Sequence, residues 1–280
     1  VYPDRVEVAL YDGSHAHAPL EQAARKVRGP GGSGTGGKAK PVAAVGDEVH
    51  AVHGEVHAPV EATWLGDHRG DHRLPDLSAA GAISELAQVD AALTAVDQVD
   101  DLALDPESAV DVEILRTALQ RQRLDLDVLR SRTWDPLLAN PGTGVYLLLA
   151  RDFAPLPDRL RSVAARLAAV PEALAEARRT LEVMPRVHVE TAIGQFKGTQ
   201  GMLTAELDEA LAAEPGLRAV VEPARRTALE ALDTHIAWLS EALETGRATG
   251  DPRLGEQKYS AALWVALDAD LRSFADHPKT

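Results

Sequence analysis

The densest run of chemically capable side chains is Asp67, His68, Arg69, Asp71, His72 and Arg73, where acids, imidazoles and guanidiniums crowd one short stretch. Two uses fit such a loop: it lines a cleft and binds the charged end of a peptide, or its charges pair with each other and fix the loop. Asp67, His68, Asp71 and Arg73 are therefore the candidate substrate-binding residues. His50, His53 and His57 stand at i, i+3 and i+7, so a helix would place three imidazoles along one edge, a conceivable metal site. The order is H-G-E-V-H instead of H-E-x-x-H, and the histidines flank a valine stripe. A half-exposed helix face accounts for them, and no metal ligand is assigned.

Other patterns resolve into structure. The glycines at 32–38 satisfy most of a phosphate loop, but Ala39 stands where the Mg²⁺-binding Ser or Thr is required and no strand precedes them, so the run reads as a linker. Arg151 with Asp152, and Glu190 with Lys197, have the spacing of acid-base pairs and are equally explained as salt bridges. His235, between Leu232 and Leu239, reads as a hydrogen-bonded core histidine. No catalytic residue is assigned.

The elements that position these residues follow from composition. In 280 residues, 45% are hydrophobic and only 4% aromatic, so the core is built from Ala, Leu and Val, which favours packed helices. The formal charge of −14 argues against a nucleic-acid partner or an anionic membrane surface. The absence of cysteine removes disulfides and thiolate chemistry and suits a cytoplasmic location.

Periodicity and caps give a helical array. Val45, Val49, Val52 and Val56 form a stripe ending before Pro59. Ser78 caps a helix with Ile83, Leu86, Leu93 and Val96 on one face; Asp105 and Pro106 open another to about residue 132, with Val112, Leu115, Leu119, Leu126 and Leu129 along a seam that Val110, Ile114, Leu124 and Val128 widen. A short apolar helix covers 144–150, and two consecutive helices, 156–170 and 171–183, meet at Pro171. A helix at 188–211 buries Ile193, Phe196, Leu203 and Leu207, with close helix packing expected at Gly194, Gly198 and Gly201. A helix at 217–243 buries Val221, Ala228, Leu232 and Leu239, and Asp251 with Pro252 caps the last. The expectation is an all-α array of about eight or nine antiparallel helices over 45–280, preceded by a flexible Gly-rich extension at 1–44.

Four ordered segments, ATWLGDHRGDHRLPDLS (62–78), NPGTGVYLLLARDFAPL (140–156), PRVHVETAIGQFKGTQG (185–201) and GRATGDPRLGEQKY (246–259), resemble a bacterial family, domain of unknown function 885, whose longer members look like helical zinc peptidases. The resemblance implies metal chemistry in a C-terminal half, around a motif of the type H-E-x-x-P-G-H. No histidine in this sequence is followed by glutamate. It thus implies the N-terminal, non-catalytic part of a zinc-peptidase-like protein, forming the cover and wall of a peptide cleft. Zinc is expected only with a C-terminal half, and the implied partners are peptide or that half. The alternatives are a non-catalytic helical interaction module, or a truncated or degenerate reading frame.

Overall fold

The structure, a computed structural model, describes residues 58–100 and 104–267. The valine stripe at 45–56, the glycine run at 32–38, the histidines 50, 53 and 57 and the extension at 1–44 lie outside the described residues. Within them the fold is all-α, with no strand, as the composition requires.

Helix α1, Pro59–Leu65, starts at the proline taken above only as a stop, because a missing N–H costs nothing at a first helical position. Helix α2, Ala79–Asp97, is capped by the Ser78 hydroxyl accepting from Gly81 N. Helix α3, Pro106–Leu124, is capped by Asp105, whose Oδ1 accepts from the amides of Glu107 and Ser108. A π-helical turn, Asp125–Leu129, follows, and the chain breaks at Arg130 with φ 53°.

α2 and α3 pair around a small core of Val89, Val96, Val112 and Leu119. α2 buries one stripe against α3, and the broader seam expected on α3 is used only in part, with Ile114 and Leu124 half-buried. Ile83 is 71% exposed, and Val110 and Val128 also face solvent. The second α2 core position is Val89, three residues past Leu86.

The main core is formed by α5, Leu156–Thr180, α6, Arg186–Ala213, and α7, Arg218–Glu244, with the short apolar α4, Gly142–Ala150, against α5 and α6. Leu160, Val163, Leu167, Val170 and Leu174 of α5 are fully buried against Phe196, Leu203, Leu207, Leu232 and Leu239. This seam explains why α5 is one helix, where two were expected with a break at Pro171. A proline inside a helix costs ~3 kcal/mol. Each fully buried aliphatic side chain returns about 1.5–3 kcal/mol, so a seam running through both halves holds the helix together.

The glycines of α6 behave differently from expectation. Gly194, Gly198 and Gly201 are solvent-facing, and a Cβ added at each meets nothing within 4 Å. They lie opposite the buried Phe196 and Leu203 face, so no helix among the described residues approaches them. The last helix, α8, Gly255–Leu267, also corrects an expectation, because Asp251 accepts from Arg253 N in the preceding turn and does not cap it.

His235 on α7 is fully buried between Phe196 and Trp238, with ring centroids 4.8 and 5.6 Å away. Arg178 Nη1 lies 3.4 Å from Nδ1; a guanidinium only donates, so Nδ1 accepts and the proton sits on Nε2. Nε2 has no hydrogen-bond partner in the structure.

Gly198→Ala should stabilise the protein by about 0.5–1 kcal/mol in urea unfolding; a loss would mean that the α6 face is covered. Burial, reinforced by the Arg178 charge, lowers the His235 pKa from 6.5 to about 4. Above 6.5 both states are neutral at this group. As pH falls from 6.5 toward 4 the unfolded chain takes up the proton and the folded one does not, removing roughly 3 kcal/mol. Unfolding measured across this window should show that slope, and His235→Gln should flatten it.

Candidate functional site

Two of the four marked segments, 62–78 and 140–156, converge on Arg166, a fully buried side chain of α5. Its Nε donates to the Arg73 carbonyl at 3.0 Å, Nη1 to the Gly144 carbonyl, and Nη2 to Thr63 Oγ1 at 2.7 Å and the Pro59 carbonyl at 3.3 Å. The Thr63 hydroxyl donates in turn to Asp71 Oδ1 at 2.6 Å, and Asp71 lies 4.0 Å from the guanidinium. Burial pulls the Arg166 pKa down to about 10, with the Asp71 charge opposing, so the group stays charged at neutral pH. Gly144 permits this closeness: a Cβ there would stand 3.0 Å from Val60 Cγ2 and 3.5 Å from the guanidinium.

The candidate loop is drawn into this knot. Asp71 is buried and also accepts from His68 Nδ1 at 3.0 Å, while the His68 ring stacks on Phe153 with centroids 3.7 Å apart. Asp67 is buried and holds Arg69 through Nε at 2.9 Å. Arg73 points to solvent and donates to His72 Nε2 at 3.2 Å, and its carbonyl serves Arg166. The structure therefore brings Asp71 and His68 together, holds Asp67 inward with Arg69, and leaves the Arg73 side chain outside.

The other suspected pairs separate. Arg151 covers the Trp64 ring at 4.3 Å and donates to its carbonyl, whereas Asp152 accepts from Arg159, whose Nη1 caps α4 at the Leu148 and Leu149 carbonyls and whose Nε donates to the Ala154 carbonyl. Glu190 accepts from Arg186, one turn back on α6, and not from Lys197.

The other two segments, 185–201 and 246–259, meet at a second place that sequence reasoning missed. A groove of about 260 Å³ lies between the end of α5, the start of α6, the turn before α8 and the first residues of α8. Its lining includes Trp134, Glu182, Pro185, Asp251, Arg253 and Lys258. The floor is extended backbone: Glu182 N donates to the Thr133 carbonyl at 2.7 Å, Gly250 N donates to the Met184 carbonyl at 3.0 Å, and Pro185 and Gly250 form a parallel bridge. Gly250 is required there, because a Cβ would fall 2.8 Å from backbone atoms of Met184 and Pro185.

Trp134 is held from behind. Its Nε1 donates to the Leu129 carbonyl at 2.9 Å, and its ring meets His188 edge-on at 5.3 Å. His188 Nδ1 lies 3.2 Å from Asp135 Oδ1, and that oxygen also caps the 3-10 turn Pro136–Ala139 at Leu137 N. Beneath, Glu85 is buried under Arg132 and Gln122. Burial pushes the Asp125 carboxyl up, with Ser131 and Arg132 opposing. The available signal was the Trp134-Asp135-Pro136 run, an aromatic beside a capping acid, and the presence of Pro185 and Gly250 in two of the marked segments.

Among the described residues no group of three or more His, Cys, Asp or Glu side chains is placed to hold a metal. No described helix is long and apolar enough to cross a membrane.

The comparisons agree with this architecture. The family model for a bacterial protein of unknown function, DUF885, matches residues 59–274, and the chain belongs to that family. Among solved structures it is similar to a candidate lipoprotein of unknown function from Shewanella oneidensis, with a TM-score of 0.74 at 26% identity. The match covers 81% of this chain and 42% of that one, so the chain spans less than half the length of that neighbour. No curated protein matches.

Removing the Arg166 charge tests the knot. Arg166→Met would take a donor from each of the buried carbonyls of Arg73, Gly144 and Pro59, the last of which keeps the Thr63 hydroxyl, and would leave Asp71 without its nearest guanidinium. Urea unfolding should show a loss of about 3–5 kcal/mol; a loss below 1 kcal/mol would mean that the loop is held elsewhere.

Proposed function

We propose that this chain forms the N-terminal, non-catalytic part of a zinc-peptidase-like protein and supplies the cover and one wall of a peptide cleft. The observation that carries the reading is the groove at Pro185 and Gly250. The extended backbone beside this bridge offers main-chain groups to an extended peptide. Trp134 adds an aromatic wall, and the carboxylates and cations around it supply charge of both signs. The loop residues Asp67, His68, Asp71 and Arg73 then act on the cleft mainly through the α1 and α4 knot, with the exposed faces of His68 and Arg73 as its outlying contacts. Zinc, on this reading, is supplied by chain beyond the region described.

A second reading, a helical interaction module, is favoured by the open face of α6, where Val187, Gly194, Gly198, Gly201 and Ala205 all face solvent. Exposed glycines cost helix stability unless a partner needs their close approach. The remainder of a longer protein would be such a partner. Both readings hold in the cytoplasm expected for a cysteine-free chain and in an envelope setting of the kind the neighbour's description implies.

Hydrogen exchange of the purified chain with a pool of short end-blocked peptides tests the first reading. Protection should appear at the amides of Val183 and Asp251, which make no hydrogen bond among the described residues; exchange unchanged there at saturating peptide would sink it.

A further inference from the structure

The charges of the groove are not equivalent. Asp251 and Arg253 satisfy each other through contacts of 2.9 and 3.0 Å, which hold the Asp251 carboxyl below its ordinary range and the Arg253 guanidinium above its own. Glu182 and Lys258 remain, and neither makes an ion pair among the described residues. The groove therefore presents one uncommitted negative and one uncommitted positive side chain. Between them, the amides of Val183 and Asp251 make no hydrogen bond among the described residues, so the floor offers donors to an extended main chain.

Size narrows the occupant. A volume of about 260 Å³ falls just under the roughly 300 Å³ at which small-molecule pockets begin, which suits a few residues and not a folded segment. The four charged side chains at the groove sum to zero, so a polyanionic ligand such as a nucleotide has no cationic surplus to meet it.

Resting on the peptide-cleft reading, we infer that the groove selects short peptides with both ends free, the ammonium directed to Glu182 and the carboxylate to Lys258, with the main chain laid along Val183 and Asp251 and a side chain against Trp134. A single amino acid matches the charges but leaves the backbone donors unused. A long chain, or one with blocked ends, leaves Glu182 and Lys258 without partners.

The test is calorimetric titration of the whole chain with Ala-Leu-Ala in three forms: free, N-acetylated and C-amidated. Each block should weaken binding about three- to fivefold, the range of a solvent-exposed charge pair. Lys258→Met should abolish the amide penalty and keep the acetyl penalty, and Glu182→Gln should do the reverse. A misfolded variant would lose both together, so this crossed pattern is specific to the assignment. Equal affinity for blocked and free peptides overturns the end selection while the cleft reading stands. No binding of any form overturns both.

Discussion

A guanidinium in the interior of a protein is tolerated only if every donor finds an acceptor, and that requirement on Arg166 organises one whole side of this molecule. Desolvating the charge costs several kcal/mol before compensation. Here the compensation comes from main-chain carbonyls at Pro59, Arg73 and Gly144 and from the Thr63 hydroxyl, four points contributed by α1, the following loop and α4. Each must be delivered to one place on α5. The conformation of residues 66–77 is thereby a consequence of a charge on a helix about ninety residues away, and Asp71 answers the same demand from behind Thr63.

That dependence gives part of the acidic and histidine-rich loop a structural task. Asp67 and Asp71 hold the chain in place, one through Arg69 and the other through Thr63 and His68. Where backbone and side chains are left over is the opposite case. At the groove, irregular segments between helices are held by two main-chain hydrogen bonds and by a glycine whose missing Cβ allows two backbones to touch. Trp134 is anchored by the Leu129 carbonyl and backed by His188, which Asp135 holds through Nδ1.

Local signals were legible wherever the energetics are local. Ser78 and Asp105 cap helices because a side-chain oxygen beside unpaired amides needs no tertiary partner. The α7 seam of Val221, Ala228, Leu232 and Leu239 is buried as its spacing requires. The failures share a different cause. Pro171 lies inside α5 because a seam on both sides outweighs a lost hydrogen bond, and Ile83 lies in water because the α2 and α3 layer has only one buried face. Asp251 closes a turn three residues earlier than a cap would stand, and the glycines of α6 meet no neighbour.

By itself, the sequence determined the all-α class, most helix starts, the main core seams and the family, since these depend on composition, capping chemistry and periodicity within a few residues of chain. It also marked the four segments that matter, but not how they pair. Only the tertiary structure decided that 62–78 joins 140–156 around Arg166, and that 185–201 joins 246–259 around a groove with Trp134 at its side. Those pairings are set by where one buried charge finds its acceptors and where one glycine lets two backbones meet, and both are contacts between residues far apart in the chain.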